Sequence, residues 1–152
     1  MKDRAEVAFH PPIILFGCIA GGFLARVVLP FPFFTNSFSL EIGVLVAAFS
    51  FGLVFWAVYT MRTGGASIPT NKPTEAIVKK GPFRFSRNPI YLSMVTLQFG
   101  IAIWSNSLWF VVFAVIFFGL ISWGVISREE QYLNKKFGPV YTSYQKQVRR
   151  WL

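Results

Sequence analysis

Leu108-Trp109-Phe110-Val111-Val112-Phe113-Ala114-Val115-Ile116-Phe117-Phe118-Gly119-Leu120-Ile121-Ser122-Trp123-Gly124-Val125-Ile126 carries no ionisable side chain and is apolar on every side of a helix. Such a run has no polar face to offer water. It is one of four, the others being Ile13–Leu29, Ile42–Met61 and Ile90–Trp104. A soluble domain of 152 residues can bury one or two such runs, but four that approach the ~20 residues of a hydrocarbon layer leave too little polar surface to clothe them. The lipid bilayer is therefore the expected solvent. The expected fold is all-α: one domain, 1–152, forming an integral-membrane bundle of four transmembrane helices. Its spans lie at about 13–29, 42–61, 89–105 and 108–126, with a cytoplasmic tail, 127–152, of amphipathic helices.

Composition agrees. Hydrophobic residues make up 54% of the chain, and the charged fraction of 14% falls well below the ~25% usual in soluble domains. A formal net charge of +9 raises the question of nucleic acid, yet the charges are sorted along the chain rather than gathered on a foldable basic face. Of the 15 basic residues, only Arg26 lies outside the N-terminal lead-in, the central segment Arg62–Pro89 and the tail. With four spans these three segments share one side, and the excess of Lys and Arg makes that side cytoplasmic. Both termini are expected to face the cytoplasm. The connections on the far side, roughly Pro30–Glu41 with Phe31–Phe38 and the tight turn Ser105–Ser107, hold no Lys or Arg. Arg26, near the outer end of the first span, can snorkel to that interface. Met1–His10 lacks a small-residue cleavage site and reads as the lead-in to the first helix rather than a removable signal.

The first two spans are expected to form one hairpin and the last two another. Gly17 and Gly21, four apart in the first span, suit close helix packing, and the lone Cys18 between them reads as a small packing residue. Asn88 before Pro89 favours a helix start there, since Asn caps well and Pro suits the first helical position. After the fourth span a helix continues or restarts near Ser127, stops at Gly138, and a second one begins at Pro139. Ser127-Arg128-Glu129-Glu130 also matches a capping box, in which Glu130 bonds back to Ser127. Tyr132, Phe137, Val140, Tyr144, Val148 and Trp151 supply an apolar face for membrane or bundle. Gln98, costly toward lipid, is expected to face the bundle.

Polar residues near the membrane surface fall into two groups, Glu75–Tyr91 and Glu129-Glu130. A hairpin of the third and fourth helices brings both groups to one interface. Pro73-Thr74-Glu75-Ala76-Ile77-Val78, Gly81-Pro82-Phe83-Arg84, Arg87-Asn88-Pro89-Ile90-Tyr91 and Arg128-Glu129-Glu130, followed by Phe137-Gly138 and Tyr141, resemble the integral-membrane methyltransferases. That family includes isoprenylcysteine carboxyl methyltransferase and the phospholipid N-methyltransferases. The likeness covers roughly Pro69–Leu152 and is closest to the short bacterial members, which implies a bacterial inner membrane.

The resemblance implies S-adenosylmethionine as methyl donor, held at the cytoplasmic end of the last two helices. Carried over by position, the cofactor-binding candidates are Glu75, Ala76, Ile77, Val78, Phe83, Asn88, Pro89, Ile90, Tyr91, Glu129 and Glu130. Related enzymes commonly have His in place of both Glu75 and Asn88. The chemistry of such a donor adds Arg87 and Gly81. Glu129 or Glu130 suits its ammonium or ribose hydroxyls. Arg87 and the N–H groups opening the third helix suit its carboxylate. Gly81 allows close backbone approach, and Phe83 or Tyr91 can stack on adenine. Arg87 and Glu129 are the positioning candidates for the transfer itself.

The implied reaction is in-line displacement at an activated methyl group, without a metal, onto a lipophilic acceptor entering sideways from the bilayer. A carboxylate acceptor, as in the prenylcysteine enzymes, needs no base, whereas the amine of a phospholipid headgroup must first lose a proton. One helical turn before the first glutamate, where the eukaryotic prenylcysteine enzymes have a substrate-associated arginine, this chain has Val125. The competing class is a non-enzymatic membrane subunit whose basic face binds anionic lipid or a partner protein.

Overall fold

The computed structural model describes residues 7, 10–32, 39–66 and 76–152, and among them every regular element is helical. Helix α1, Pro11–Val28, opens on Pro11 and Pro12, whose fixed φ suits a first turn. Helix α2 spans Ser39–Thr63. A single 3₁₀ turn, Gly81–Arg84, precedes α3, Pro89–Ser105, which begins at the expected residue with Pro in the first position. Asn106, with φ of 46°, takes the left-handed conformation that ends α3 and tightens the Ser105–Ser107 connection. Helix α4, Leu108–Ile121, passes through a π-helical turn at Ser122–Ile126 into α5, Ser127–Phe137. Gly138, with φ of 51°, then breaks the chain direction, and α6, Pro139–Gln147, follows.

Three helical stretches are long and apolar enough to cross a membrane: Pro11–Val28, Leu40–Thr63 and the continuous rod Leu108–Phe137. The rod has 30 residues and so runs about 45 Å at ~1.5 Å per residue. Its apolar part ends at Ile126, and Ser127–Phe137 carries Arg128, Glu129, Glu130, Lys135 and Lys136 beyond it. Helix α3 is also apolar but has 17 residues, about 25 Å at the same rise.

The expected hairpin of the first two helices is not formed. Instead α1 packs on α4 and α2 on α3, so the two lie on opposite flanks of the α3–α4 hairpin. Small residues explain the choice of neighbour. A Cβ on Gly21 would come within 2.6 Å of the Phe113 ring, and one on Gly22 within 2.7 Å of Phe110. Both phenylalanines belong to α4. Gly17 meets nothing within 4 Å, so the contact uses Gly21-Gly22 rather than the expected Gly17/Gly21 pair. On the other flank a Cβ on Gly43 would strike the Trp104 backbone, and one on Gly100 would lie 2.8 Å from the Ala47 nitrogen. Helices α2 and α3 therefore meet backbone to backbone, the approach that only small residues allow. Trp109 Nε1 donates to Leu29 O at 2.6 Å, fixing the end of α1 to the start of α4.

At the centre lie Leu15 and Cys18 of α1, Tyr91 and Val95 of α3, and Phe117, Ile121, Val125 and Ile126 of the rod. Most of the other faces of α1 and α2 are bare: Phe16, Val27, Leu45, Phe49 and Phe55 are at least 65% exposed, a surface suited to lipid and not to water. Gly43→Ala and Gly100→Ala should each lower the thermal unfolding midpoint in mild detergent, at a cost of ~1–3 kcal/mol for overpacking. Gly17→Ala, which meets open space, should leave the midpoint unchanged or raise it.

Candidate functional site

The charged end of the rod faces the N-terminus of α3, and the two glutamates there have different partners. Tyr91, one turn into α3, donates its hydroxyl hydrogen bond to Glu129 Oε1 at 2.8 Å. Glu130 accepts from Arg87 at 2.6 Å through Oε1 and from Arg150 through Oε2, with Arg150 Nε also 3.3 Å from Oε1. The Arg87–Glu130 pair is inward, with side chains 10% and 9% exposed, whereas that of Arg150 is 41% exposed. Burial pushes the Glu129 carboxyl up to about 7, the Tyr91 hydrogen bond pulls it down and the neighbouring Glu130 charge pushes it up.

The sequence candidates around Arg87 are already engaged. Arg87 Nη1 donates to the carbonyls of Gln145 and Val148, both at 3.0 Å, and its backbone N–H donates to Arg149 O. Asn88 occupies the position before α3, yet its side chain does not cap the helix: Nδ2 donates to Arg150 O at 2.9 Å. Ser86, 1% exposed, donates weakly to the same carbonyl at 3.4 Å and accepts from Asn88 N at 3.1 Å. These three residues thus bind the segment after α6. The Nε of Arg87, also buried, has no partner among the described residues.

The capping box is absent, because Ile126 and Ser127 are themselves helical: Ser127 N–H reaches back five residues to Ser122 O, and its hydroxyl bonds Trp123 O at 2.6 Å. Glu130 has salt bridges instead. Gly81, with φ of 56°, makes its close approach to α2, where a Cβ would lie 2.7 Å from Thr60 Oγ1. Phe83 and Tyr91, the expected stacking rings, are both buried, and Phe83 O accepts from Tyr144 at 2.7 Å.

Of the remaining candidates, Pro89 is buried at the start of α3 and Ile90, Ala76, Ile77 and Val78 are half-buried. Val78 packs against the end of α2 at Gly64. Glu75 lies outside the described residues, as do Pro73, Thr74, Lys2, Arg4, Lys72 and 33–38.

Tyr141, Tyr144 and Arg150 were not among the candidates. Both tyrosines are buried, Tyr144 beneath Lys79 with the ammonium 5.7 Å from its ring centre. Burial pushes the Tyr144 phenol up to about 12 and raises that of Tyr141 further, so both are protonated donors at neutral pH. Spacing could have found Tyr141, one helical turn from Tyr144 on α6. Gln98, fully buried in α3 as expected, has neither amide atom partnered among the described residues.

A family model described as phospholipid methyltransferase matches residues 38–140, about two thirds of the 152 residues. A curated protein of Haemophilus influenzae, described as uncharacterized, is 43% identical over 65 residues, covering 41% of this chain and all of that protein. No solved structure matches.

Removing one partner from an inward ion pair leaves the other charge uncompensated. Glu130→Gln should therefore destabilise the fold by ~3 kcal/mol or more. Arg150→Ala, which removes an exposed arm, should cost ~1 kcal/mol or less. Thermal unfolding of the two variants in the same detergent checks the order.

Proposed function

The chain belongs to the phospholipid methyltransferase family, and from that premise we propose that it is an S-adenosylmethionine-dependent membrane methyltransferase acting on a lipophilic acceptor. The observation that carries the reading is the Tyr91–Glu129 hydrogen bond, which joins the opening turn of α3 to the charged end of the rod. In this reading α3 is a fourth span, the charged end of the rod and α6 lie on the cytoplasmic side, and the site sits at the inner leaflet. The sorting of Lys and Arg supports that orientation.

The residues fit such a donor unequally. Both oxygens of Glu130 are taken by arginines, whereas Tyr91 bonds one oxygen of Glu129. Glu129 is thus the carboxylate to receive the donor's ammonium or ribose. The buried, unpartnered Nε of Arg87 is a cationic N–H suited to the donor's carboxylate, as are the N–H groups opening α3. The donor supplies a methyl group already activated on a sulfonium. What remains for the chain is to hold it in line with the nucleophile and keep water out.

For the acceptor, one observation favours an amine headgroup over a carboxylate: Val125, where an arginine would meet a prenylcysteine carboxylate, is fully buried and apolar.

Equilibrium binding of S-adenosylmethionine to the purified protein tests the reading. The wild type should bind, and Glu129→Gln should weaken binding at least tenfold, about 1.4 kcal/mol. Because the ionised carboxylate is the binding form, affinity should rise as pH passes upward through about 7 in the wild type and stay flat in Glu129→Gln. An intact wild type that binds no donor returns the chain to the class of lipid- or protein-binding subunits. Tritiated methyl recovered in extracted lipid as a base-stable product identifies an amine acceptor, and base-labile label an ester.

A further inference from the structure

The segment that follows α6, Val148–Leu152, does not stay at the charged end of the molecule. Arg150 reaches one way to Glu130, while Trp151 reaches the other way and stacks on Phe118, ring centres 4.5 Å apart and planes at 29°. Glu130 and Phe118 are 12 positions apart on the rod, about 18 Å at ~1.5 Å per residue. Two consecutive side chains thus bridge from the charged end to the apolar body. The backbone of this segment lies against the turn that precedes α3, where a carbonyl left without a partner is costly. The polar run Ser86-Arg87-Asn88 meets that need by donating to the carbonyls of Val148, Arg149 and Arg150.

Trp151 also packs against the cluster of Leu15, Cys18, Tyr91, Val95, Phe117 and Ile121. It therefore lies against the seam of side chains that α1, α3 and α4 contribute, and its stacking partner Phe118 precedes Glu129 by 11 positions on the rod, within the apolar part. Its anchorage is uneven. The Arg87–Glu130 arm is inward, whereas the Arg150 side chain and Phe118 are each 41% exposed, and the chain at Val148 is extended.

Resting on the methyl-transfer reading above, we propose that Trp151 is the gating residue of the acceptor path: a lipid reaches the methyl site through this seam by displacing Trp151 from Phe118. The soluble donor uses the cytoplasmic side and does not need the seam.

Cys18, the single cysteine, lies in the cluster that Trp151 covers and reports on it directly. In bilayer-reconstituted protein, N-dodecylmaleimide should alkylate Cys18 at least tenfold faster in Trp151→Ala than in the wild type, with Trp151→Phe close to wild type. Equilibrium binding of S-adenosylmethionine should change less than threefold in both variants. Transfer of tritiated methyl into vesicles of extracted membrane lipid should reach half-saturation at a lipid concentration at least threefold lower in Trp151→Ala, with donor affinity retained.

An unchanged Cys18 rate, or a lipid half-saturation that does not move, overturns the gate. Loss of donor binding in Trp151→Ala overturns it too, since Trp151 would then be a wall of the donor site. Absence of donor binding or lipid methylation in the wild type is a different failure: it removes the reading beneath the gate, and the assignment of the seam to an acceptor goes with it.

Discussion

One carboxylate held between two guanidinium groups organises the polar end of this molecule. Glu130 binds Arg87, 43 positions earlier, and Arg150, 20 positions later, so three segments distant along the chain close on a single charge. The attraction is strong because the inner pair is almost dry, and for the same reason neither member can be spared. Arg87 Nη1 gives its hydrogens to the carbonyls of Gln145 and Val148, which turns an ion pair into a clasp on the end of α6. Glu129, the adjacent residue, is left to Tyr91. A structural carboxylate and a candidate binding carboxylate thus stand side by side, separated by what their neighbours supply.

Much of the fold was legible in the sequence. Four apolar runs, with Pro89 opening α3 and Gly138-Pro139 dividing the tail, located the helices, and the Ser105–Ser107 turn and the start of α3 fall where the residues put them. The partners of the helices were not legible. Runs that are apolar all round carry no phase, so nothing in Ile13–Leu29 says whether it meets α2 or α4. The decision rests on Gly21 and Gly22 fitting two phenylalanine rings and on Gly43 and Gly100 meeting backbone. Shape complementarity of that kind is a property of two surfaces, and one segment read alone shows half of it.

The site divides in the same way. Side chains with distinctive chemistry, Arg87, Tyr91, Glu129 and Glu130, do converge, as their position around the last two apolar runs implied. Their engagements were harder to foresee because the partners are largely main-chain carbonyls at Gln145, Val148, Arg149 and Arg150, and a carbonyl leaves no mark in a sequence. Asn88 illustrates the cost: its type and position say helix cap, and the structure uses it to hold an extended strap. On α6 the sequence points to Val140 and Tyr144 as the apolar face, whereas the buried pair is Tyr141 and Tyr144 and Val140 is exposed.

The π-helical turn at Ser122–Ile126 acts like a vernier on the rod. Its bond from Ser127 back to Ser122 encloses one residue more than an α-helical turn, which rotates everything beyond it by ~100° relative to an uninterrupted helix. Neighbouring residues on a helix are offset by that same angle. The turn therefore determines which of two consecutive acids looks at a phenol and which at a guanidinium; with the surplus residue smoothed out, one would take the other's azimuth and the other would lose its place altogether. Chemical identity at this end of the protein is thus indexed by a backbone irregularity several residues away, in a stretch whose side chains are almost wholly apolar.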